Sequence, residues 1–119
     1  AMRVKDKIAL PRVDESRLFS QPSLIGLSYI LRHEDLWPKG FVWHFGACSA
    51  CAMGMTAKLW PKQVGGTRLA DIAGAFGMKD EAVSRVFGGS RLREDYGVRW
   101  SSAVTPEMVA CQIDRYLAG

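Results

Sequence analysis

The chain has 119 residues and contains no run of 18 or more apolar residues. A bilayer-spanning helix needs about 20, so no membrane span is expected. Only three cysteines are present, an odd number. That argues against a fully paired disulfide framework and for a reducing compartment. Histidine is limited to His33 and His44. No carboxylate pair, phosphate loop or dinucleotide fingerprint is found. Gly65-Gly66 and Gly88-Gly89 stand alone, with no Lys-Ser or Lys-Thr after them, so they cannot form a phosphate loop. These absences predict a non-enzymatic protein without a resident cofactor. The first residues, Ala1 to Lys7, lack the apolar stretch of a signal peptide, and a cytoplasmic location is the expectation. Ala1 ahead of Met2 looks like a vector remnant. There is no internal repeat and no low-complexity segment.

What is present is enough for a core. Hydrophobic residues make up 48% of the chain, with four Trp and five Phe, which excludes general disorder. The length fits one domain. The pattern predicts a charged arm over 1–20 and a single helical domain over 21–119. The fold class expected is mainly α, with about five helices.

The first helix is predicted over about 21–32, capped by Ser20, with Leu24, Ile25, Leu27, Ile30 and Leu31 facing inward. The break at Trp37-Pro38-Lys39-Gly40 follows. Phe41, Trp43 and Phe45 then alternate with Val42 and His44, a short extended piece. A second helix is expected over about 48–60, ended by Pro61. Residues 88–104 read as irregular. There, Arg91-Leu92-Arg93 and Val98-Arg99-Trp100 could pair as a small hairpin around Asp95-Tyr96-Gly97. The last helix has the clearest start: Thr105 as cap, Pro106 in the first position, and Val104 placed to staple against Val109. Met108, Val109, Ile113, Tyr116 and Leu117 form its predicted apolar stripe.

The most informative stretch is 69–87. Leu69, Ile72 and Phe76 recur on one helical face. Gly77 stands where a chain leaves a helix through the left-handed region. Met78 would plug the corner. The next helix starts near Asp80, with Glu81 in its first turn, favourable for the helix dipole. Val83 and Val86 give it a buried side, which leaves Lys79, Ser84 and Arg85 outward. Two short helices pinned around a glycine form a helix-turn-helix, which can present one helix to the major groove of DNA.

Asp71-Ile72-Ala73, Gly77-Met78 and Ala82-Val83-Ser84-Arg85-Val86 resemble the helix-turn-helix of lactose-repressor-type regulators, over about 20 residues. The resemblance implies that Lys79, Ser84 and Arg85 approach DNA. It has three departures: more than sixty residues precede the motif, Phe76 takes the place of a small residue, and Asp80 and Glu81 occupy the exposed start of the would-be reading helix. Over about 22–118 the chain is also similar to a group of small bacterial and phage proteins without assigned function. The shared layout is a leading helix, a cysteine-bearing segment with Cys51-Ala52-Met53-Gly54, Phe76-Gly77-Met78, Val86-Phe87-Gly88, and a closing helix from Thr105 to Ala110. This second resemblance implies a compact helical fold and no activity.

Charge sets a condition on DNA binding. The chain carries a net +4 and a pI near 9.2, compatible with a polyanion partner. Residues 67–100 contribute only +1 of that, from Arg68, Lys79, Arg85, Arg91, Arg93 and Arg99 against Asp71, Asp80, Glu81, Glu94 and Asp95. Phosphate neutralisation drives non-specific affinity, and +1 is thin for that, although Arg85, Arg91, Arg93 and Arg99 could cluster in space, with Arg91, Arg93 and Arg99 on phosphates. The competing reading is a helical corner that buries Phe76, Met78 and Val83 and binds nothing.

A second constellation is His44, Cys48 and Cys51, with Cys111 far along the chain. It could supply soft ligands for zinc, although structural sites usually come as two close pairs. A thioredoxin-like role lacks the surrounding βαβ unit. A cysteine-hydrolase role would need a downstream histidine, and both histidines come earlier. The plain alternative keeps the cysteines as small core residues. An exposed aromatic surface over Trp37–Phe45 would instead seat a protein partner, and a protein-interaction module is the main competitor to nucleic-acid binding.

Overall fold

The computed structural model describes residues 13–47 and 49–119. They form six α-helices, α1 (Leu24–Leu31), α2 (Ala52–Leu59), α3 (Leu69–Phe76), α4 (Asp80–Phe87), α5 (Gly89–Tyr96) and α6 (Pro106–Ala118), with three short 3₁₀ turns. No strand occurs among the described residues. The mainly helical single domain follows the sequence pattern. The radius of gyration of 13.5 Å matches the roughly 13.5 Å expected of a compact chain of this length.

Helix α1 starts later than the sequence suggested. Ser23, not Ser20, caps it: the Ser23 backbone is extended and its Oγ accepts from the Gly26 N–H at 2.9 Å. The Ser20 hydroxyl instead donates to the Arg17 carbonyl. Leu24, Leu27, Ile30 and Leu31 are buried as expected, while Ile25 is exposed. Helix α2 is likewise shorter than predicted. Cys51 occupies its N-cap, and Trp60 follows its last residue. The Trp60 side chain is 1% exposed and its Nε1 donates to the Leu18 carbonyl at 3.1 Å. Leu18 itself is in the core, so the segment from residue 13 joins the domain before α1 begins. Residues 1–12 of the predicted arm lie outside the described residues.

The predicted hairpin over 91–100 is absent, and α5 occupies its place. Asp95-Tyr96-Gly97 is a helix end rather than a hairpin turn. Gly97 takes the left-handed conformation at φ 65° and closes α5 as its C-cap. Leu92 is the one residue of α5 that is buried. Arg91 and Asp95, four apart, pair along the helix at 3.2 Å. Gly88 alone therefore separates α4 from α5, and Gly89 is the first residue of α5; the pair does not open a loop.

The extended piece over 41–45 pairs with no strand among the described residues. Its aromatic residues form a wall against the core instead. Trp37, Phe41, Trp43 and Phe45 lie in a chain of ring contacts, with centroids about 6 Å apart. Trp37 Nε1 donates to the Ile30 carbonyl and Trp43 Nε1 to the Val104 carbonyl, both at 2.8 Å. The four rings are half-buried against the core; Val42 is the large apolar side chain of this stretch that faces solvent.

Helices α1 and α6 make the most extensive helix–helix contact of the molecule. The start of α6 is as read from sequence: Thr105 Oγ accepts from the Met108 N–H at 3.2 Å and Pro106 stands in the first position. Val109, Ala110, Gln112 and Ile113 form the buried face, whereas Tyr116 and Leu117 are exposed, unlike the predicted stripe. A polar clasp closes this contact. Arg32 holds Glu107 through Nε at 3.0 Å and Asp114 through Nη1 at 2.8 Å, and Ser28 Oγ donates to Asp114 at 2.7 Å. Burial works against the Arg32 charge, and the two carboxylates outweigh it, so its pKa rises further above its ordinary value.

Cys111 sits in the same clasp, within 3.5 Å of both Glu107 and Arg32. Burial pushes its thiol pKa up and Glu107 adds to this, with Arg32 opposing. Burial also raises the Tyr96 pKa, against the effect of Arg115. Both groups hold their protons more tightly when folded. Their contribution is complete below the unfolded values, 9.0 for the thiol and 10.0 for the phenol, and is lost as pH rises through the higher folded values. The urea midpoint should therefore fall as pH rises above about 9, and Cys111→Ser should remove the part that begins near the thiol's unfolded value. A midpoint that falls identically in the variant would show that Cys111 has no part in it.

Candidate nucleic-acid interface

Helices α3 and α4 are joined by Gly77, Met78 and Lys79. Gly77 is left-handed at φ 66°, and the Met78 N–H donates to the Ala73 carbonyl at 2.9 Å. That geometry ends α3 and turns the chain within three residues. Met78 is buried at the corner, as its apolar side chain predicts. Phe76 packs edge-on to Trp60 and stacked on Phe87, at 6.1 and 6.3 Å between centroids. A large side chain before the turn glycine is accommodated because the facing slot is aromatic. At the other end of α3, the Asp71 carboxylate accepts from the Arg68 N–H at 3.2 Å, which ties down the helix start.

Helix α4 is two-sided. Ala82, Val83, Val86 and Phe87 are buried, and Asp80, Glu81, Ser84 and Arg85 are exposed. Lys79 is the exposed N-cap residue, without a capping side chain. Lys79, Ser84 and Arg85 thus face solvent, as the spacing requires. The outward surface is mixed: carboxylates occupy the first turn, and Arg85 stands one turn later, about 6 Å along the axis from Glu81. The Arg85 side chain makes no hydrogen bond or ion pair among the described residues.

The arginines separate into two groups. Arg85 and Arg91 line one cleft between α4, α5 and α6, and Arg115 joins them there. Arg93 and Arg99 do not. Arg93 is half-buried, its Nη1 reaching toward the Arg99 carbonyl at 3.5 Å, with its Nε covered and unpaired among the described residues. The Arg99 guanidinium lies 5.6 Å from the centre of the exposed Trp100 ring. Of the four arginines that could cluster, Arg85 and Arg91 share this cleft, with Arg115 as the third, and Arg93 and Arg99 do not line it.

Arg115, Gln112 and Tyr116 were missed from the sequence. All three come from α6, whose distance in sequence from α4 hid the approach. The signal available was Gln112, a polar residue at an inward position between Val109 and Ile113. It is 8% exposed and saturated. Its amide nitrogen donates to the Arg85 carbonyl and to Asp95 Oδ2, each at 3.2 Å, and its oxygen accepts from Arg115 Nη1 at 3.1 Å and the Tyr96 hydroxyl at 3.3 Å.

The cysteine constellation is not assembled as a ligand set among the described residues, where no group of three His, Cys, Asp or Glu could hold a metal ion. Cys51 is buried at the start of α2, His44 is exposed, and Cys111 lies beside the Arg32 guanidinium. Cys48 lies outside the described residues.

No family model, curated protein or solved structure matches the chain. No helix among the described residues is long and apolar enough to cross a membrane.

Proposed function

We propose that the chain binds nucleic acid, with α4 of the helix-turn-helix against the duplex. The observation that carries this reading is the guanidinium of Arg85: it stands on the outward side of α4, unpaired among the described residues, at the rim of a cleft with two further arginines. A guanidinium with no fixed partner, lining the same cleft as Arg91 and Arg115, is available to a polyanion. The left-handed Gly77 turn and the exposure of Lys79 and Ser84 support the same orientation. Asp80 and Glu81 at the start of α4 would repel phosphates, so base edges or water, not backbone, belong opposite that turn. The protein-interaction alternative is weakened, since the Trp37–Phe45 rings are spent on the core.

The test is fluorescence anisotropy of a labelled short duplex at ~50 mM salt, followed by a salt titration. Affinity should be micromolar, and log K should fall against log salt with a slope of about −3, as three phosphate contacts predict. Arg85→Ala should reduce that slope by about 1. No retention of DNA or RNA at ~50 mM salt and ~100 μM protein sinks the reading, because even non-specific binders reach that range.

A further inference from the structure

We infer that the cleft between α4, α5 and α6 is a binding site for a phosphorylated sugar, with its phosphate among Arg85, Arg91 and Arg115. This deepens the nucleic-acid reading and rests on it for the source of the ligand, one sugar-phosphate unit of the backbone. The cleft measures about 520 Å³. That lies within the range of roughly 300–1,000 Å³ typical of small-molecule sites, and it exceeds what a bare phosphate fills. Three guanidinium groups face one side-chain carboxylate, Asp95, so the lining side chains carry a net +2, and the backbone end at Gly119 closes one side of the cleft. Planar guanidinium forks suit the oxygens of a phosphate, which can take two parallel N–H bonds from each.

Two of the three arginines, Arg91 and Arg115, are also held in place before any ligand arrives, and the Arg85 side chain is left to close on it. Gln112, nine-tenths buried, fixes Arg115 through Nη1 and Asp95 through Oδ2. Asp95 in turn fixes Arg91 through Nε at 3.2 Å, and no partner among the described residues takes the two terminal nitrogens of Arg91. A network satisfied in this way lowers the ordering cost of binding, since rotamers are set during folding. The carboxylate that could repel an anion is occupied by Arg91 and Gln112. Tyr116 completes the wall with a ring that is 38% exposed. An exposed tyrosine beside a cationic groove offers a face on which a sugar or base can pack.

The experiment is an NMR titration of the intact chain with inorganic phosphate and, separately, with a nucleoside 5′-monophosphate. The probes observed are the Gln112 side-chain amide and the Arg Nε–H signals. Both ligands should shift them in a saturable way, the nucleotide more tightly. Arg115→Gln should weaken both ligands about tenfold, because a charge-assisted bond is lost. Arg91→Gln provides the same test with an exposed side chain on a different helix. Tyr116→Ala should weaken the nucleotide by about fivefold or more and leave phosphate unchanged. Non-saturating shifts, or saturable shifts that neither arginine substitution alters, overturn the inference. Saturable binding in the cleft without duplex retention upholds the site and fails the α4 reading. Duplex retention indifferent to Arg91→Gln and Arg115→Gln, with no phosphate response, fails the site and upholds α4.

Discussion

Trp60→Ala should destabilise the chain by about 3–5 kcal/mol and lower Tm by on the order of 10–25 °C. Trp60 is 1% exposed and edge-on to Phe76, and its Nε1 is bonded to the Leu18 carbonyl. Truncation opens a cavity between the end of α2, the helix-turn-helix and the segment before α1. It also leaves a covered carbonyl without a donor, a further penalty. Whole stabilities are only about 5–15 kcal/mol, so this one change consumes a large part. Trp60→Phe separates the two effects. It keeps an aromatic body against Phe76 and loses the hydrogen bond, and should cost well under half as much. Urea unfolding monitored by far-UV circular dichroism measures both. An alanine variant within ~1 kcal/mol of the wild type would mean that the three elements do not depend on this side chain.

The second large effect is expected at Gly88. A Cβ there would stand 2.2 Å from the Ser84 carbonyl oxygen, in the same turn where the Gly88 N–H donates to that oxygen at 2.8 Å. Backbone cannot yield as a side chain end does, so the α4–α5 corner must open. Gly88→Ala should cost about 2–3 kcal/mol, in the range of overpacked cores. Gly77→Ala provides the contrast. Gly77 has open space around it but a left-handed φ of 66°, and alanine should cost only about 1 kcal/mol there. Denaturant midpoints at constant m-value rank the two. The order reversed, or Gly88→Ala neutral, would show that the corner is not set by this close approach. Because Arg85 and Arg91 lie on either side of it, Gly88→Ala should also disturb the arginine cleft, while Gly77→Ala leaves it intact.

These two glycines mark what the sequence could reveal. Gly77 was legible because its neighbours Phe76 and Met78 are apolar and local geometry alone demands a turn there. Thr105 and Pro106 were legible for the same reason: a cap acts within one turn of its own helix. Gly88-Gly89 misled, since a glycine pair normally ends order. Here Gly88 is needed for its close approach to the Ser84 carbonyl, whereas a Cβ at Gly89 would stand 3.3 Å from the Phe45 ring, a contact relieved by a shift of a few tenths of an ångström. The straight-chain residues Arg91, Leu92, Arg93 and Glu94, good helix formers, carried the counter-signal. At the site, exposure of Lys79, Ser84 and Arg85 followed from the 3.6-residue period. The convergence of arginines did not, because it depends on α6 crossing beside α4, a tertiary fact. Periodicity placed Tyr116 inward for a similar reason: it knows the stripe of a helix but not where the neighbouring helix stops.

The clasp of Arg32 with Glu107 and Asp114 joins the helices before and after the helix-turn-helix. The intervening segment is held at both margins, like a keystone set between two abutments, and α4 itself packs directly on α3, α5 and α6. A helix with three such neighbours is restrained from swinging outward. On the proposed reading a duplex would meet a finished shape, and association should proceed with little rearrangement of the chain and with most of its entropic toll already settled at folding.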